Sequence, residues 1–324
     1  MTYQTIRNEF EKYIEQEKFD TSVYPLYETI NYIMGLDAKR FRPALLLMSY
    51  SLYDSQIQKA LPAAFAIELF HNFTLIHDDI MDEASIRRGQ PSVHNKYGIN
   101  QAILTGDAMM MISYRYLMKA TSSNNVQAVI ETITQMAIEV CEGQDLDMAF
   151  ESREIVGVED YLKMIELKTA VLLAASLKIG SLLGGADDMD ANNLYEFGRN
   201  VGIAFQIQDD ILDAFGSSTK VGKKIGGDIY QKKKTYLFTK ALEILSKDDQ
   251  LQLLSYYQSS ENLTIQDVSE VKGIFLRKNV VDQARIEQER YYQIALSHLQ
   301  SVQLEEERKE PLRSVARMLF DRQS

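Results

Sequence analysis

The chain carries one cysteine in 324 residues, Cys141. A lone thiol excludes an internal disulfide framework and suits a reducing compartment. Proline is also scarce. Pro25, Pro43, Pro62, Pro91 and Pro311 are the five, and none falls between Ser92 and Glu310. A strand-rich fold needs frequent turns, so this long proline-free stretch favours long helices. Basic residues are outnumbered, 35 Lys and Arg against 46 Asp and Glu, for a formal net charge of −11. That surplus of acid argues against non-specific nucleic-acid binding, which rests on neutralising phosphates. Residues Met1 to Asp20 mix charge with apolar side chains and lack the apolar core of a secretory leader. The most apolar stretch, Ala170 to Ala186, is broken by Lys178 and is short for a bilayer span. No transmembrane segment is therefore expected, and the cytoplasm is the expected location. At 45% hydrophobic and 25% charged, the composition is globular rather than disordered.

Helical periodicity fills the chain. Leu194, Phe197, Val201, Phe205, Gln208 and Leu212 recur at three- and four-residue steps. Similar stripes run through Val126–Val140, Val158–Leu183 and Tyr236–Leu245. The expectation is an all-α fold of ten or more helices, with no linker and no fixed-period repeat, as a single domain over 1–324. Loops are expected at Arg88 to Pro91, at Gly184 to Ala186 and at the Gly- and Lys-rich stretch Gly216 to Gly227. Long loops in helical domains are often functional.

Two acidic clusters share one spacing, Asp78-Asp79-Ile80-Met81-Asp82 and Asp209-Asp210-Ile211-Leu212-Asp213. On a helix, positions i and i+4 lie about 40° apart and one turn up. Asp78 therefore stands over Asp82, and Asp209 over Asp213, where like charges repel. A cation removes that penalty. Carboxylates without His or Cys neighbours suit Mg²⁺, which keeps waters and bridges to substrate phosphate oxygens. Each cluster follows an apolar helical segment, Phe73 to Ile76 and Ile203 to Ile207, as at the polar mouth of an apolar pocket. Asp187-Asp188-Met189-Asp190 follows two glycines and reads instead as a helix cap.

Acidic ligands imply a phosphorylated substrate only where cations of another kind stand ready. Despite the acidic total, basic residues are grouped as Lys39, Arg40 and Arg42, as Arg87-Arg88, as Lys223-Lys224 and as Lys232-Lys233-Lys234. Arg forks bind phosphate bidentately and Lys offers a point charge. Two diphosphate sites follow from this pattern, one bridged by metal and one held by protein cations.

At these residues the chain resembles the trans-isoprenyl diphosphate synthases over nearly its whole length. The resemblance rests on Lys39-Arg40-Phe41-Arg42-Pro43, on His77 to Asp82, on Arg87-Arg88-Gly89 and on Gly143-Gln144. It continues through Lys168-Thr169, Phe205 to Asp213 and Gly227-Asp228, in the family's order. It implies a helical bundle of the isoprenoid synthase type around a central cavity, usually a homodimer. It implies Mg²⁺-dependent condensation of isopentenyl diphosphate with allylic diphosphates, with three ions bound. Asp78 and Asp82 would hold two of these and Asp209 the third, with Asp79 and Asp213 in support and Gln144 and Asp147 near the metal waters. Arg87, Lys168, Lys224 and Lys233 would contact the allylic diphosphate. Lys39, Arg42, His71 and Arg88 would hold the isopentenyl diphosphate, with Arg40 nearby. Thr169 and Gln206 would face the developing carbocation, and Phe205 would pack on the isopentenyl unit.

Some residues read more plainly. His77 is expected to order its helix rather than bind metal, Gly106-Asp107 to cap a helix start, and Met109-Met110-Met111 to be core or dimer interface. The chain also departs from the family pattern in places. Ala38 and Lys232 stand where the family usually has glycine, leaving open which of Lys232, Lys233 and Lys234 reaches phosphate. Arg322 matches the family's basic tail poorly.

Product size depends on what blocks the space below Asp78. Thr74 is one turn down and small. Phe73 is about 7.5 Å down and roughly 140° around, and Phe70 about 12 Å down. The wheel alone leaves the Thr74 face open with Phe70 nearer the floor, whereas the resemblance makes Phe73 the stopper. The resemblance favours a C20 product, with C15 next. The competing readings are a class I terpene cyclase, which usually carries a mixed second motif, and a non-catalytic partner subunit, which usually has degraded aspartate motifs. The two intact clusters speak against both.

Overall fold

The computed structural model of the chain describes residues 1–22, 24–216 and 225–321. Its helices are α1 (Tyr3–Gln16), α2 (Pro25–Met34), α3 (Phe41–Ser51), α4 (Leu61–Met81), α5 (Val93–Tyr97), α6 (Ile99–Ala120), α7 (Val126–Ser152) and α8 (Val158–Ile165). They continue as α9 (Val171–Gly184), α10 (Asp188–Phe215), α11 (Gly227–Tyr230), α12 (Tyr236–Ile244), α13 (Lys247–Gln258), α14 (Ile265–Arg277), α15 (Val280–Ser301) and α16 (Glu306–Phe320). The fold is all-α, as the proline spacing and the period predict. Among the described residues the strands are β1 (Ile86–Arg87) and β2 (Gln90–Pro91), which pair antiparallel. Their two-residue turn, Arg88-Gly89, has φ of +53° and +74°. Both values are left-handed, the geometry whose twist matches a tight hairpin.

The chain divides into two compact units. The first comprises residues 1–133, 175–195 and 302–312. In it α4 lies along α6, and α3 packs on α4 and α1. An aromatic group of Tyr13, Phe19, Phe65 and Tyr116 fills one part of this core. A side chain on Gly180 of α9 would meet the Leu46 carbonyl oxygen of α3 at 2.1 Å. Ser49 closes the same contact by donating its hydroxyl to the Leu177 carbonyl at 2.6 Å. The second unit comprises residues 134–174, 196–301 and 313–324. Its core gathers Tyr161, Ile165, Ile203, Ile207 and Ile211 with Leu237, Phe238, Val271 and Phe275, burial that supplies the main favourable term.

One expectation changes here, after one that holds: the stripe Val158–Leu183 is helical, as its period predicts. Helix runs from Val158 to Gly184, 27 residues, through one π turn at Glu166–Ala170. It is long and apolar enough to cross a membrane by length and composition, but 72% of its apolar window is buried within the protein. Gly106-Asp107 is not a helix start. It sits in the middle of α6, which begins at Ile99. By contrast Asp187 does cap α10, accepting the Asp190 amide at 2.8 Å.

Candidate active site

Helix α4 ends in the first acidic cluster. Asp78 and Asp79 lie in its last turn and Asp82 is its C-cap. Carboxylates at a helix C-terminus face the negative end of the backbone dipoles, so this arrangement needs cations nearby. Arg87 of β1 answers one of the three. Its Nε donates to both Asp79 oxygens at 2.9 and 3.1 Å, and its NH2 also donates to Asp79. Burial opposes the Arg87 charge, but Asp79 outweighs it and holds the guanidinium above its ordinary value. Asp79 is buried, while Asp78 is half-buried and Asp82 exposed. Arg87 also comes within 3.8 Å of Asp78.

Two turns back on the same helix stands a cationic pocket. Arg42 faces the His71 Nε2 at 3.1 Å. Burial pushes the Arg42 guanidinium down to about 10, and the charge of Arg88 adds to that. Its Nε is buried and has no hydrogen-bond partner among the described residues. Burial, followed by the charges of Arg42, Arg88, Arg87 and Arg40, holds His71 well below its ordinary value, so the ring is neutral and accepts from Arg42. Arg88 donates to the Asn72 Oδ1 at 3.4 Å. Concentrated, buried, positive charge with an unmet donor fits an anion with several oxygens. Lys39 is exposed at the rim.

Arg40 stands apart from this pocket. Its guanidinium is buried against Glu68 at 2.5 Å and donates to the carbonyls of Met34 at 2.6 Å and Leu36 at 3.0 Å. It caps the start of α3 with φ of +54°. These donors tie Arg40 to the protein itself, so it acts by fixing the Lys39–Arg42 turn.

In the second unit, α10 carries the other acidic cluster. Asp210 is buried, accepting from the Tyr161 hydroxyl at 2.5 Å, the Tyr236 amide at 2.8 Å and Gln206 at 3.4 Å. Burial raises its carboxyl to about 7. Asp213 accepts the Asp228 amide on its Oδ2 at 2.9 Å, and its carbonyl accepts the Gly226 amide at 2.6 Å. Asp213 thus anchors the start of α11. Asp209 is half-buried on the remaining side, as are Phe205 and Gln206.

The π turn carries Lys168 and Thr169. Such single-turn insertions interrupt the regular ladder and are frequent at functional sites. Two glycines permit it. A Cβ on Gly143 of α7 would stand 2.3 Å from the Lys168 backbone nitrogen, and one on Gly202 of α10 would stand 2.6 Å from the Ala170 Cα. Lys168 donates to Asp147 at 2.6 Å, joining two of the expected site residues. Gln144 is half-buried on α7.

The three lysines before α12 part ways. Lys232 donates to the carbonyls of Ser259 and, at 2.8 Å, Glu261, and Lys234 donates to the Glu151 carbonyl at 2.8 Å. Lys233 is exposed, and its ammonium has no hydrogen bond or ion pair among the described residues. Lys232 has φ of +56°, the conformation that favours glycine. Among the described residues, Arg40, Arg88 and Lys232 are three of the five non-glycine residues with left-handed φ, beside Glu83 and Asn279. Backbone strain of this kind costs about 1–3 kcal/mol and gathers at functional sites. Lys223, Lys224 and Arg322 lie outside the described residues.

Below Asp78, Thr74 turns its hydroxyl back to the His71 carbonyl at 2.8 Å. Phe70 is sealed at 0% exposure, whereas Phe73 keeps 8%. Of the two rings, Phe73 is the less completely buried.

Sequence reasoning missed Glu68, Asn72 and Tyr161. Glu68 binds Arg40 and Asn72 together, the latter at 3.0 Å, and Asn72 in turn meets Arg88. A signal existed, since a carboxylate inside the apolar run Leu61 to Phe70 needs a buried cation. Tyr161 gave none, being one apolar-face residue among many.

The donor chemistry suits the expected metal. Among the described residues no group of three or more His, Cys, Asp or Glu side chains is gathered as a metal centre. An all-carboxylate set with few protein ligands fits Mg²⁺, which completes its shell with water and phosphate oxygens, and does not fit zinc.

Comparisons with known proteins show the family. A family model described as Polyprenyl synthetase matches residues 23–275. A geranylgeranyl diphosphate synthase of Methanosarcina mazei is 45% identical over 219 residues, 67% of this chain and 68% of that protein. One of Sulfolobus acidocaldarius is 39% identical over 280 residues, 86% of this chain and 84% of that one. A crystal structure of a geranylgeranyl pyrophosphate synthase superposes with a TM-score of 0.94 at 38% identity, covering 100% of both chains.

Proposed function

The chain belongs to the polyprenyl synthetase family and is a prenyltransferase, and from that premise we propose that it condenses isopentenyl diphosphate head to tail (1′-4) with allylic diphosphates. The product is a linear all-trans short-chain prenyl diphosphate, C20 in preference to C15, with diphosphate released. The chain-length reading is supported by the C20 names of its relatives and by the 8% exposure that Phe73 keeps. One observation carries the reaction. A single helix, α4, bears both the buried cationic pocket around His71 and the carboxylate cluster at Asp78. Those are the two ways a protein holds a diphosphate.

In this reading the C1–O bond of the allylic substrate breaks, and its electron pair leaves with diphosphate. The isopentenyl double bond attacks the allylic cation through C4, and a proton from C2 is lost to the departing diphosphate. Asp78 and Asp82, with Asp209, would hold Mg²⁺, and the bound metal would supply positive charge to the leaving diphosphate. Arg87, Lys168, Lys224 and Lys233 bind that diphosphate. Arg42, Lys39, His71 and Arg88 hold and orient isopentenyl diphosphate, and neutral His71 keeps Arg42 aimed. Oxygens of Thr169 and Gln206 face the developing cation, and Phe205 covers the isopentenyl unit against water. Asp79, Arg40, Asp210 and Asp213 position their neighbours. The same reading carries a single domain over 1–324, a homodimer and a cytoplasmic location.

The test is to incubate the protein with Mg²⁺, isopentenyl diphosphate and dimethylallyl, geranyl or farnesyl diphosphate, then size the products by mass spectrometry. Linear C20 diphosphate is expected, and none after chelation with EDTA. A cyclic hydrocarbon formed without isopentenyl units would make it a cyclase, and no condensation with any starter a partner subunit.

A further inference from the structure

Phe73 is held by more than its own position on the helix. Its ring is held between two others, edge to face, with Phe70 at 5.3 Å and His77 at 5.0 Å. His77 is one turn on from Phe73 and lies on the same face of α4, the face that packs along α6. There the His77 Nε2 meets the Ile103 carbonyl at 3.3 Å and stands 3.9 Å from Asp107. The imidazole is seated on Gly106. A Cβ at that position would lie 2.3 Å from Nε2, 2.7 Å from Cδ2 and 3.1 Å from Cε1. Glycine inside a helix costs about 1 kcal/mol relative to alanine, and here it makes room for the ring.

From this chain of contacts we propose that Gly106 and His77 determine product length by setting the depth at which the Phe73 ring stands. The proposal rests on the elongation reading above and extends it to a second helix. A methyl at 106 must move the imidazole, which keeps 23% of its side-chain surface exposed, and the imidazole shifts the ring it touches. Phe73 is buried on most of its surface, with 8% left exposed. Gly106→Ala therefore pushes Phe73 toward the chain-length space that the elongation reading sets beside it and shortens the product. His77→Ala leaves a void behind Phe73, into which the ring retreats, and lengthens it.

The experiment compares wild type, Gly106→Ala, His77→Ala and the double variant, with Mg²⁺, isopentenyl diphosphate and each allylic starter, sizing products by mass spectrometry. The expected result is a shift of at least one isoprenyl unit down for Gly106→Ala and up for His77→Ala. The double variant should follow His77→Ala, because the added methyl then has no ring to push. Unchanged product lengths in both single variants, with the melt and turnover of a folded enzyme, overturn the proposal, as does a double variant that follows Gly106→Ala. A variant that loses folding or turnover is replaced by Gly106→Ser or His77→Asn and read in the same way. A wild-type chain that makes no condensation product at all removes the elongation reading instead.

Discussion

Gly143 and Lys168 meet backbone to backbone, with 2.3 Å between the absent Cβ of one and the amide nitrogen of the other. The neighbour is main chain, so it cannot rotate aside as a side chain would. The contact explains how a π turn survives in an otherwise regular helix, and why Lys168 and Thr169 project from that turn.

Gly143→Ala should therefore act on both fold and reaction. Overpacking of this kind costs about 1–3 kcal/mol, and the displaced turn takes Lys168 away from Asp147. Thermal melts and initial rates should fall together. A variant with wild-type melting and wild-type rate would show that the approach is soft.

Asp78→Ala and Asp209→Ala should lower turnover by about 100-fold or more, the scale of losing one charge-stabilising group. Neither carboxylate is fully buried, so stability should stay within about 0.5 kcal/mol of wild type. Rates near wild type with saturating Mg²⁺ in either variant would remove that residue from the metal set.

Arg42 carries charge at the expense of the fold, since burial pushes its guanidinium down to about 10. Arg42→Met should raise the KM for isopentenyl diphosphate by about 10–100-fold, the value of a charge-assisted hydrogen bond, with a smaller change in kcat. The melting temperature should hold or rise. A KM effect confined to the allylic substrate would move Arg42 to the other diphosphate.

His71 makes an acid-sensitive contribution. Burial and the facing arginines Arg42, Arg88, Arg87 and Arg40 keep it neutral in the fold, while the unfolded chain takes up a proton near pH 6.5. Below that pH the unfolded state binds more protons, so stability is full above about pH 6.5 and is lost as the pH falls beneath it. Melting curves from pH 5 to 8 should show that slope in wild type and a shallower one in His71→Gln. Parallel curves would mean that the ring charges in place.

Phe73→Ala should lengthen the product, because it removes the ring that the elongation reading makes the stopper. It should also cost about 3–5 kcal/mol, as truncating a packed aromatic does. Phe70→Ala should cost as much without changing length. The reverse result would make Phe70 the floor.

Helix content was legible in the sequence because the 3.6-residue period and the missing prolines are local properties. The aspartate pairs were legible for a similar reason, since i and i+4 share a face on any helix. Long-range contacts were not. Nothing adjacent to Arg40 announces that Glu68, 28 residues on, will take its guanidinium, so it resembled the other cations. Gly106-Asp107 looked like a helix start because it resembles one in the family; what the glycine makes room for lies on α4.

The sequence by itself therefore determined that the chain is helical, that it bears two aspartate clusters of one spacing and that basic groups accompany them, because spacing and charge are written along one strand of chain. Only the tertiary structure decided which cations are spent on the protein and which are left for a ligand. Arg40, Lys232 and Lys234 are satisfied by distant carbonyls and a buried carboxylate, while among the described residues Arg42 and Lys233 keep donors unused. It also decided where the ladder admits an extra residue at Lys168 and which of Phe70 and Phe73 is the more deeply buried. Each of those outcomes depends on how close two backbones or two rings come, and packing sets that distance.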